Sequence, residues 1–252
     1  MAKSSFDGRQ FWQNRLAADS SLKGTGHRAF DLRYNQWFYA AQKDSLDLLI
    51  RRNSLSVAGK NILDIGSGNG FFVDYFQEKG AQSVSGLDIS EASVNLLQKK
   101  FPSLRFANAD ISLSNPFAES FDIISAISVL FHIVDDERFA AAIHNMAQSC
   151  SPGGAIILSD ALARPIIPTA RHVRLRTIQQ YQAVFEQNHL KILDVVPMFY
   201  LLNQTFIPFL GPRIINWLRL GEWFYRVDRR WRDAGRNNLD GAKLLLAQRT
   251  AG

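Results

Sequence analysis

The sequence predicts a doubly wound α/β domain, and three observations support that fold class. Short apolar runs rich in Ile, Val and Leu alternate with longer helical patterns from residue 61 to about 200. The first run leads into a glycine-rich loop, NILDIGSGNG over 61–70, and a last apolar run closes the chain. Near-continuous apolar strands separated by helices are typical of a parallel sheet covered on both faces. The alternation therefore predicts a sheet with helices on both sides.

Seven apolar runs are predicted as strands, and helix start and stop signals fall between them. The strands are NILDIG (61–66), SVSGLDI (83–89), RFANAD (105–110), FDIISAIS (121–128), GAIILSD (154–160), KILDVVPMFY (191–200) and KLLLAQR (243–249). A helix over 71–79 should end at Gly80, and Ser90 can cap the next one. Thr177 and Gln180 form a capping box for a later helix.

The chain is predicted to be a single domain in three parts. Residues 1–58 form an N-terminal helical cap, with helix-like segments around 10–18 and 36–52. The core comprises 59–200 and 241–250, and 201–240 form an insertion before the last strand. A structureless loop of that length is unusual, so the insertion should contain a helix of its own. Cap and insertion are both placed to cover the carboxyl edge of the sheet, where such folds bind ligands.

Composition narrows the class of protein and its location. The 252 residues are 46% hydrophobic and 21% charged, as in ordinary globular chains. No apolar run is long enough for a signal peptide or a membrane span. The one cysteine, Cys150, excludes a disulfide framework and a cysteine-rich zinc site, so we expect a reducing cytoplasm and no metal. The net charge of +6 leaves nucleic acid, anionic lipid and acidic small substrates open as partners.

The glycine loop indicates the kind of ligand. Glycines let a backbone approach a ligand closely at the N-terminus of a helix. A dinucleotide site requires G-x-G-x-x-G/A, whose third small residue packs beside a pyrophosphate. Here Gly66 and Gly68 would put that residue at Phe71, and the spacing is G-x-G-x-G instead. The loop therefore favours a nucleoside ligand without a diphosphate, although glycines that serve only chain reversal are the alternative.

Two acids follow the next two strands. Asp88 ends the second strand, where a carboxylate can accept hydrogen bonds from both hydroxyls of a ribose. Asp110 ends the third, where it could accept from an adenine amino group, with Ile89 and Ile111 as apolar walls. The alternative is that Asp88 and Asp110 are ordinary acidic residues at helix N-termini. That interpretation does not account for their shared position at successive strand ends.

The motifs resemble the Rossmann-like class I S-adenosylmethionine-dependent methyltransferases over roughly residues 60–160. They are ILDIGSGNGFF, GLDIS, ANADIS, FDIISAISVLFHI and the SPGGAIILSD run. The resemblance implies S-adenosylmethionine as cofactor, S-adenosylhomocysteine as product, and a seven-stranded sheet with an antiparallel last strand. It places the methionine end of the cofactor near the first motif, and the 125–127 backbone beneath the sulfonium. The implied cofactor residues are Asp64, Gly66, Ser67, Gly68, Gly70, Asp88, Ile89, Asp110, Ile111, Ser125, Ala126 and Ile127.

Two histidines are candidates for a catalytic base. His132 lies just past the fourth strand, at the edge where substrate would enter, and imidazole titrates near neutral pH. The alternatives are that His132 packs under the next helix or forms part of a lid over the cofactor. His172, in a basic loop after the fifth strand, is the second candidate. Cys150 follows a helix remote from this edge, so structural burial is favoured over a nucleophilic role.

The insertion leaves three interpretations open. Its apolar and aromatic residues alternate with arginines at helical spacing. It could pack on the domain or on a second copy in a homodimer, cover the substrate, or contact an anionic membrane surface peripherally. Tyr34, Trp37, Phe131 and Trp217 are the candidate acceptor contacts, with plain core packing as the alternative for the first two.

The favoured hypothesis is an S-adenosylmethionine-dependent methyltransferase of a small molecule, acting at oxygen on a secondary metabolite or glycan. One alternative is a binding or scaffold protein that kept the cofactor fold without catalysis. The other is an RNA methyltransferase. The fourth strand lacks the Asn/Asp-Pro-Pro-aromatic run of amino-methylating DNA enzymes, which argues against nucleic acid.

Overall fold

A computed structural model describes residues 6–162, 170–203, 211–238 and 241–250. Its centre is one seven-stranded sheet in the order β3-β2-β1-β4-β5-β7-β6. The strands are β1 Asn61–Ile65, β2 Ser83–Asp88, β3 Arg105–Asn108, β4 Phe121–Ala126, β5 Cys150–Asp160, β6 Leu190–Pro197 and β7 Lys243–Arg249. Pairing is parallel from β3 to β5, and β7 runs antiparallel to both its neighbours. The predicted fold class and the reversed last strand are confirmed.

Helices cover both faces of this sheet, because successive strand residues alternate between two cores. The helices are α1 Gly8–Ala18, α2 Leu22–Thr25, α3 Leu32–Arg52, α4 Phe71–Glu78, α5 Glu91–Lys100, α6 Asp136–Ser149, α7 Ile178–Glu186, α8 Pro212–Trp217 and α9 Gly221–Asp233. Ile62 of β1 packs in the core beneath α3, α4 and α5. Its neighbour Leu63 packs in the opposite core beneath α6 and α7. The sheet is thus the middle layer of three.

The predicted helix boundaries agree with local hydrogen bonding. The Ser90 hydroxyl accepts from the Ser93 N–H and caps α5. Thr177 and Gln180 make both bonds of the capping box at the start of α7. Gly80, just beyond α4, has a φ of +81°, which glycine adopts without strain. β5 begins at Cys150, four residues before the predicted 154, and its pairing with β4 is irregular over that extension.

The described part of the insertion, 211–238, contains α8 and α9 rather than one long helix. Arg219, with a φ of +55°, lies in the turn that separates them. Helix α9 packs against the side of α3, where Tyr225 stacks on Trp37 with ring centroids 5.1 Å apart. Residues 204–210 and 239–240 of the predicted insertion lie outside the described residues. Among the described helices, none combines the length and apolar character needed to cross a bilayer.

Candidate active site

The glycine loop connects β1 to α4 at the carboxyl edge of the sheet. Gly66 and Gly68 adopt φ values of +70° and +54°, in the left-handed region that disfavours side chains. A Cβ on Gly66 would lie 2.4 Å from Cγ2 of Val129. Phe71, the first residue of α4, packs on Tyr39 with ring centroids 4.6 Å apart. The phenyl ring thus occupies the place where a dinucleotide site has a small residue.

This geometry predicts that Gly66→Ala destabilises the protein by about 2–4 kcal/mol, because left-handed strain and overpacking add. Gly59→Ala is a matched control, since Gly59 has a φ of +73° and a Cβ added there would meet no atom within 4 Å. It should cost about 1 kcal/mol, from strain alone. Urea denaturation measures both changes. Equal losses of stability in Gly66→Ala and Gly59→Ala would mean that the close contact with Val129 adds nothing to the cost of Gly66→Ala.

Asp88, at the end of β2, is buried beside this loop. Its Oδ2 accepts from the Gly68 N–H at 2.8 Å, and its Oδ1 from the Ser90 N–H at 2.8 Å. Burial raises the pKa of the Asp88 carboxyl, while the N–H groups of Ser90 and Gly68 oppose that shift. Each carboxylate oxygen has two lone-pair sites, so each can accept one more hydrogen bond. Asp88 therefore fixes the loop and still offers acceptors to a ligand.

Asp110, just past β3, is held by α6. Its Oδ1 accepts from both the N–H and the hydroxyl of Ser112. Its Oδ2 pairs with Arg138, whose Nε also donates to the Ser112 hydroxyl. Ile89 and Ile111 lie beside it on the wall of the same cavity. The carboxylate is thus fixed in place at an apolar wall, as a site for a planar base requires.

Asp64 lies beneath the loop, near the end of β1. Its Oδ2 is buried and has no hydrogen-bond partner among the described residues. Burial raises the pKa of Asp64 to about 7, with Asp88 adding to the rise and the Ser125 and Ser67 hydroxyls opposing it. Burying a carboxylate without a partner is costly. A cationic group placed beside this oxygen would offset that cost.

The end of β4 forms the next wall. Ser125 and Ala126 are buried, and the chain then passes through Ile127 into the cavity wall. Ser128 adopts a φ of +63°, and its N–H donates to the Ser159 hydroxyl at 2.7 Å. Non-glycine residues in this region cluster at functional sites. Sequence reasoning stopped at Ile127 and missed Ser128, because a left-handed serine has no sequence signal.

The N-terminal cap covers the cavity. Trp12 and Leu16 of α1 line it. Arg9 donates to the Ile89 carbonyl at 3.3 Å, and the N–H of Ala92 donates to Gln13 at 3.1 Å. Thr25 Oγ1 accepts from Tyr39 at 2.7 Å and from Asn69 of the glycine loop at 3.0 Å. The cap is therefore bonded directly to the loop and to the end of β2.

His132 lines the cavity opposite the glycine loop, in a 3₁₀ turn over Leu130–His132. Its Nδ1 lies 2.8 Å from the carbonyl oxygen of His172. A carbonyl only accepts, so Nδ1 carries the proton and Nε2 keeps a free lone pair. Burial lowers the pKa of His132 to about 4, and the His172 carbonyl partly opposes this. The Trp12 ring packs edge-on against the imidazole, with centroids 4.8 Å apart.

His172 and Cys150 have other surroundings. The His172 ring stacks between Phe11 and His132, at centroid distances of 4.7 and 5.5 Å, and is not part of the cavity wall. Its backbone carbonyl is what orients His132. Cys150 is fully buried at the start of β5, and burial raises the pKa of its thiol to about 12. A thiol with that pKa is inert at neutral pH.

These features meet in one cavity at the carboxyl edge of the sheet. Among the twelve predicted cofactor residues, eight line it, and Asp64, Gly70, Ser125 and Ala126 are not part of its lining. None of the four candidate acceptor contacts lines it. Tyr34 is buried with its hydroxyl bonded to the Leu202 carbonyl, and Trp37 stacks on Tyr225. Phe131 packs on the His132 ring, while Trp217 is exposed on α8; their acceptor role stays a prediction.

Comparisons with known proteins agree with this architecture. Residues 62–154 match the family described as Methyltransferase domain. The crystal structure of magnesium protoporphyrin IX methyltransferase from Synechocystis PCC 6803 with bound SAM superposes with a TM-score of 0.62. That match has 16% identity and covers 99% of this chain and 100% of that one. It shows the fold, and the fold is that of class I methyltransferases.

Two curated relatives match over part of the chain. A tRNA U34 carboxymethyltransferase of Dichelobacter nodosus is 38% identical over 106 residues, covering 41% of this chain and 33% of that protein. A ubiquinone biosynthesis O-methyltransferase of Coxiella burnetii is 29% identical over 139 residues, covering 51% and 58%. The chain thus spans between a third and three fifths of these relatives' length.

Proposed function

We propose that this chain, whose residues 62–154 match a methyltransferase domain, methylates an oxygen of a small molecule with S-adenosylmethionine. The observation that carries the proposal is the shared cavity. One cavity joins the bare glycine loop, two strand-end carboxylates and an imidazole with a free lone pair. Its wall is mainly apolar with a few polar groups, as in sites for small ligands.

The residues present fit the cofactor. Gly66 and Gly68 leave backbone exposed to the cavity, where a Cβ would meet Val129 or Thr25. The orphaned Oδ2 of Asp64 suits an ammonium group, because a positive charge nearby stabilises a buried carboxylate. When bound, S-adenosylmethionine supplies a methyl group on a sulfonium that is reactive toward nucleophiles. The protein has only to bind, align and keep the site dry.

We propose that three carboxylates bind the cofactor. Asp88 would accept hydrogen bonds from the ribose hydroxyls with the lone pairs that Gly68 and Ser90 leave free. Asp110 would accept from the adenine amino group between Ile89 and Ile111, fixed in place by its pair with Arg138. Asp64 would face the ammonium end.

His132 is the residue we propose to take the proton from the acceptor hydroxyl. When the acceptor oxygen is methylated, Nε2 of His132 would take the hydroxyl proton. The low pKa of His132 keeps that lone pair free over the neutral range. A weak base is sufficient, because the hydroxyl becomes strongly acidic as the oxygen is alkylated. Trp12, Tyr39 and Phe71 line the same cavity and favour an apolar or aromatic acceptor.

The proposal predicts that His132→Asn lowers kcat but leaves the affinity for S-adenosylhomocysteine nearly unchanged. With phenol and catechol acceptors and S-adenosylmethionine labelled in the methyl group, kcat should fall by about 10²–10⁴, the usual contribution of a general base. S-adenosylhomocysteine affinity should change little. His144→Asn is the matched control, because His144 lies on the exposed face of α6 and bonds to Asn188. Unchanged turnover in His132→Asn would mean that another group takes the proton from the acceptor hydroxyl.

The pH dependence separates His132 from an ordinary histidine. A base with a pKa near 4 stays deprotonated, so we expect kcat to be flat from about pH 8 to about pH 5.5 and to fall below that. A fall centred near pH 6.5 would contradict the burial-lowered pKa. Tight S-adenosylhomocysteine binding with no turnover of any acceptor would favour the non-catalytic alternative.

RNA methylation is the second candidate function. The 38% identity to a tRNA-modifying enzyme and the net charge of +6 favour it. That match covers 41% of this chain and 33% of the relative, so the relative's acceptor does not carry over to this chain by itself. Binding to RNA that falls steeply with salt would support this candidate. We further propose a cytoplasmic location, which suits the single free thiol, and a homodimer that light scattering would detect.

A further inference from the structure

Buried polar contacts fasten α9 to the domain, and the buried Ile215 anchors α8 in the same core as Phe224 of α9. Asp228 of α9 is fully buried and accepts from the N–H groups of Tyr200, Leu201 and Leu202 at 2.7–3.2 Å. Arg232, also buried, donates to Asp44 of α3 at 3.0 Å. Charges buried in this way are costly to separate. The opposite side of the α8–α9 pair is therefore presented in a fixed orientation.

That outward side is unusually apolar. Seven large hydrophobic residues are exposed in the part of the chain that the structure describes, and four of them lie within the ten residues 214–223. They are Ile214 (41% exposed), Trp217 (79%), Leu218 (46%) and Trp223 (57%). Single exposed hydrophobic residues need no explanation, but a cluster of them marks an interaction surface. We call these four residues the indole patch.

Arginines surround the indole patch. Arg213, Arg219 and Arg230 are exposed and form no ion pair with any described residue. Arg226 is exposed as well, and its acidic partner is Glu222, 2.6 Å away. The surface therefore combines unpaired positive charge with indole and aliphatic side chains. Anionic phospholipid matches it in both respects, with phosphates for the arginines and an apolar boundary for the rings.

We propose that the indole patch and its arginines bind the surface of an anionic phospholipid bilayer. Trp217 and Trp223 flank the turn between α8 and α9 and enter the headgroup region, while the arginines contact lipid phosphates. Nucleic acid matches the arginines but offers no environment for Ile214 and Leu218. A second copy of the chain carries the same positive charge, so pairing patch to patch brings like charges together. The patch does not line the cavity, so this inference is independent of the methylation proposal.

Vesicle binding tests the proposal directly. The intact protein should co-sediment with vesicles of equimolar phosphatidylcholine and phosphatidylglycerol, and much less with phosphatidylcholine alone. Binding should weaken as sodium chloride rises from about 0.1 M to about 0.5 M, because salt screens the arginines. Trp217→Glu with Trp223→Glu should lower the partition coefficient at least about tenfold, since two charges replace the interfacial rings.

Matched variants distinguish vesicle binding through the indole patch from non-specific hydrophobic binding. Leu113→Glu removes a hydrophobic side chain that is 72% exposed elsewhere, and it should bind vesicles as the unmodified protein does. Arg213→Glu with Arg219→Glu should lose binding to the anionic vesicles, whereas Lys99→Glu with Lys191→Glu should retain most of it. All variants should keep their circular dichroism and their S-adenosylhomocysteine affinity, which shows that they are folded.

Three results would overturn the proposal. The first is vesicle binding that is unchanged in the double tryptophan variant. The second is binding to single-stranded RNA, but not to vesicles, that depends on the arginines alone. The third is a dimer in light scattering that the double tryptophan variant converts to monomer, with no vesicle binding by either protein. Quenching of tryptophan fluorescence by vesicles with brominated acyl chains, lost in the double variant, would place the rings in the bilayer surface.

Discussion

Asp88→Ala should lower the affinity for S-adenosylhomocysteine by about 30- to 1,000-fold, equivalent to about 2–4 kcal/mol. Two losses combine in this variant. The carboxylate that we assign to the ribose hydroxyls disappears, and so does the acceptor that holds the Gly68 N–H at 2.8 Å. The glycine loop then lacks its bond to the end of β2. Isothermal titration calorimetry measures the change.

Asp74→Ala is the control for this experiment. Asp74 lies on α4, close to the same loop in sequence, but its carboxylate is exposed and pairs with Lys100 at 2.5 Å. Surface pairs of this kind contribute little, so affinity should stay within about twofold. If both variants bind S-adenosylhomocysteine equally well, Asp88 has no part in the site.

Asp64→Asn should have opposite effects on stability and on binding. The pKa of Asp64 is raised to about 7 in the folded protein, against 3.8 for a free side chain. Below about pH 4 both states hold the proton, so the carboxyl does not affect stability there. As pH rises, the unfolded state loses the proton first, and the folded state becomes less stable until about pH 7. Asparagine does not titrate and avoids this cost.

The expected gain in stability follows from the size of the shift in the pKa of Asp64. In urea denaturation, Asp64→Asn should be more stable than the unmodified protein by up to about 4 kcal/mol near pH 8, with the gain vanishing near pH 4. Its S-adenosylhomocysteine affinity should fall at least about tenfold, because the ammonium group loses its charged partner. A stability difference that does not vary with pH would show that Asp64 is not titrating in this range.

The parts of the site that sequence predicted are those with a local pattern. Glycines with positive φ and acids at strand ends follow from strand–loop–helix geometry, so Gly66, Gly68 and Asp88 could be placed without coordinates. The strand order of a doubly wound sheet follows for the same reason. Each of these features depends on neighbours within a few residues or on a recurrent topology.

The contacts of the cap could not be predicted, because they join distant residues without a motif. Arg9 donates to a carbonyl 80 positions away, and Gln13 accepts from residues 77 and 79 positions away. Helical spacing likewise predicted an apolar face on the insertion but not the turn at Arg219. That turn separates buried Phe224 from exposed Trp217. Periodicity shows which residues share a face, not what that face meets.

The lone thiol gives this protein a clean background for chemical labelling. Cys150 is the single cysteine of the chain, and it is fully buried. Maleimide reagents require an accessible thiolate, so they should leave the natural sequence unmodified. A cysteine engineered by Trp223→Cys, or by Asn14→Cys on α1, would then carry the only dye or spin label. The mobility and surroundings of the cap or of the indole patch then become measurable without first replacing a native cysteine.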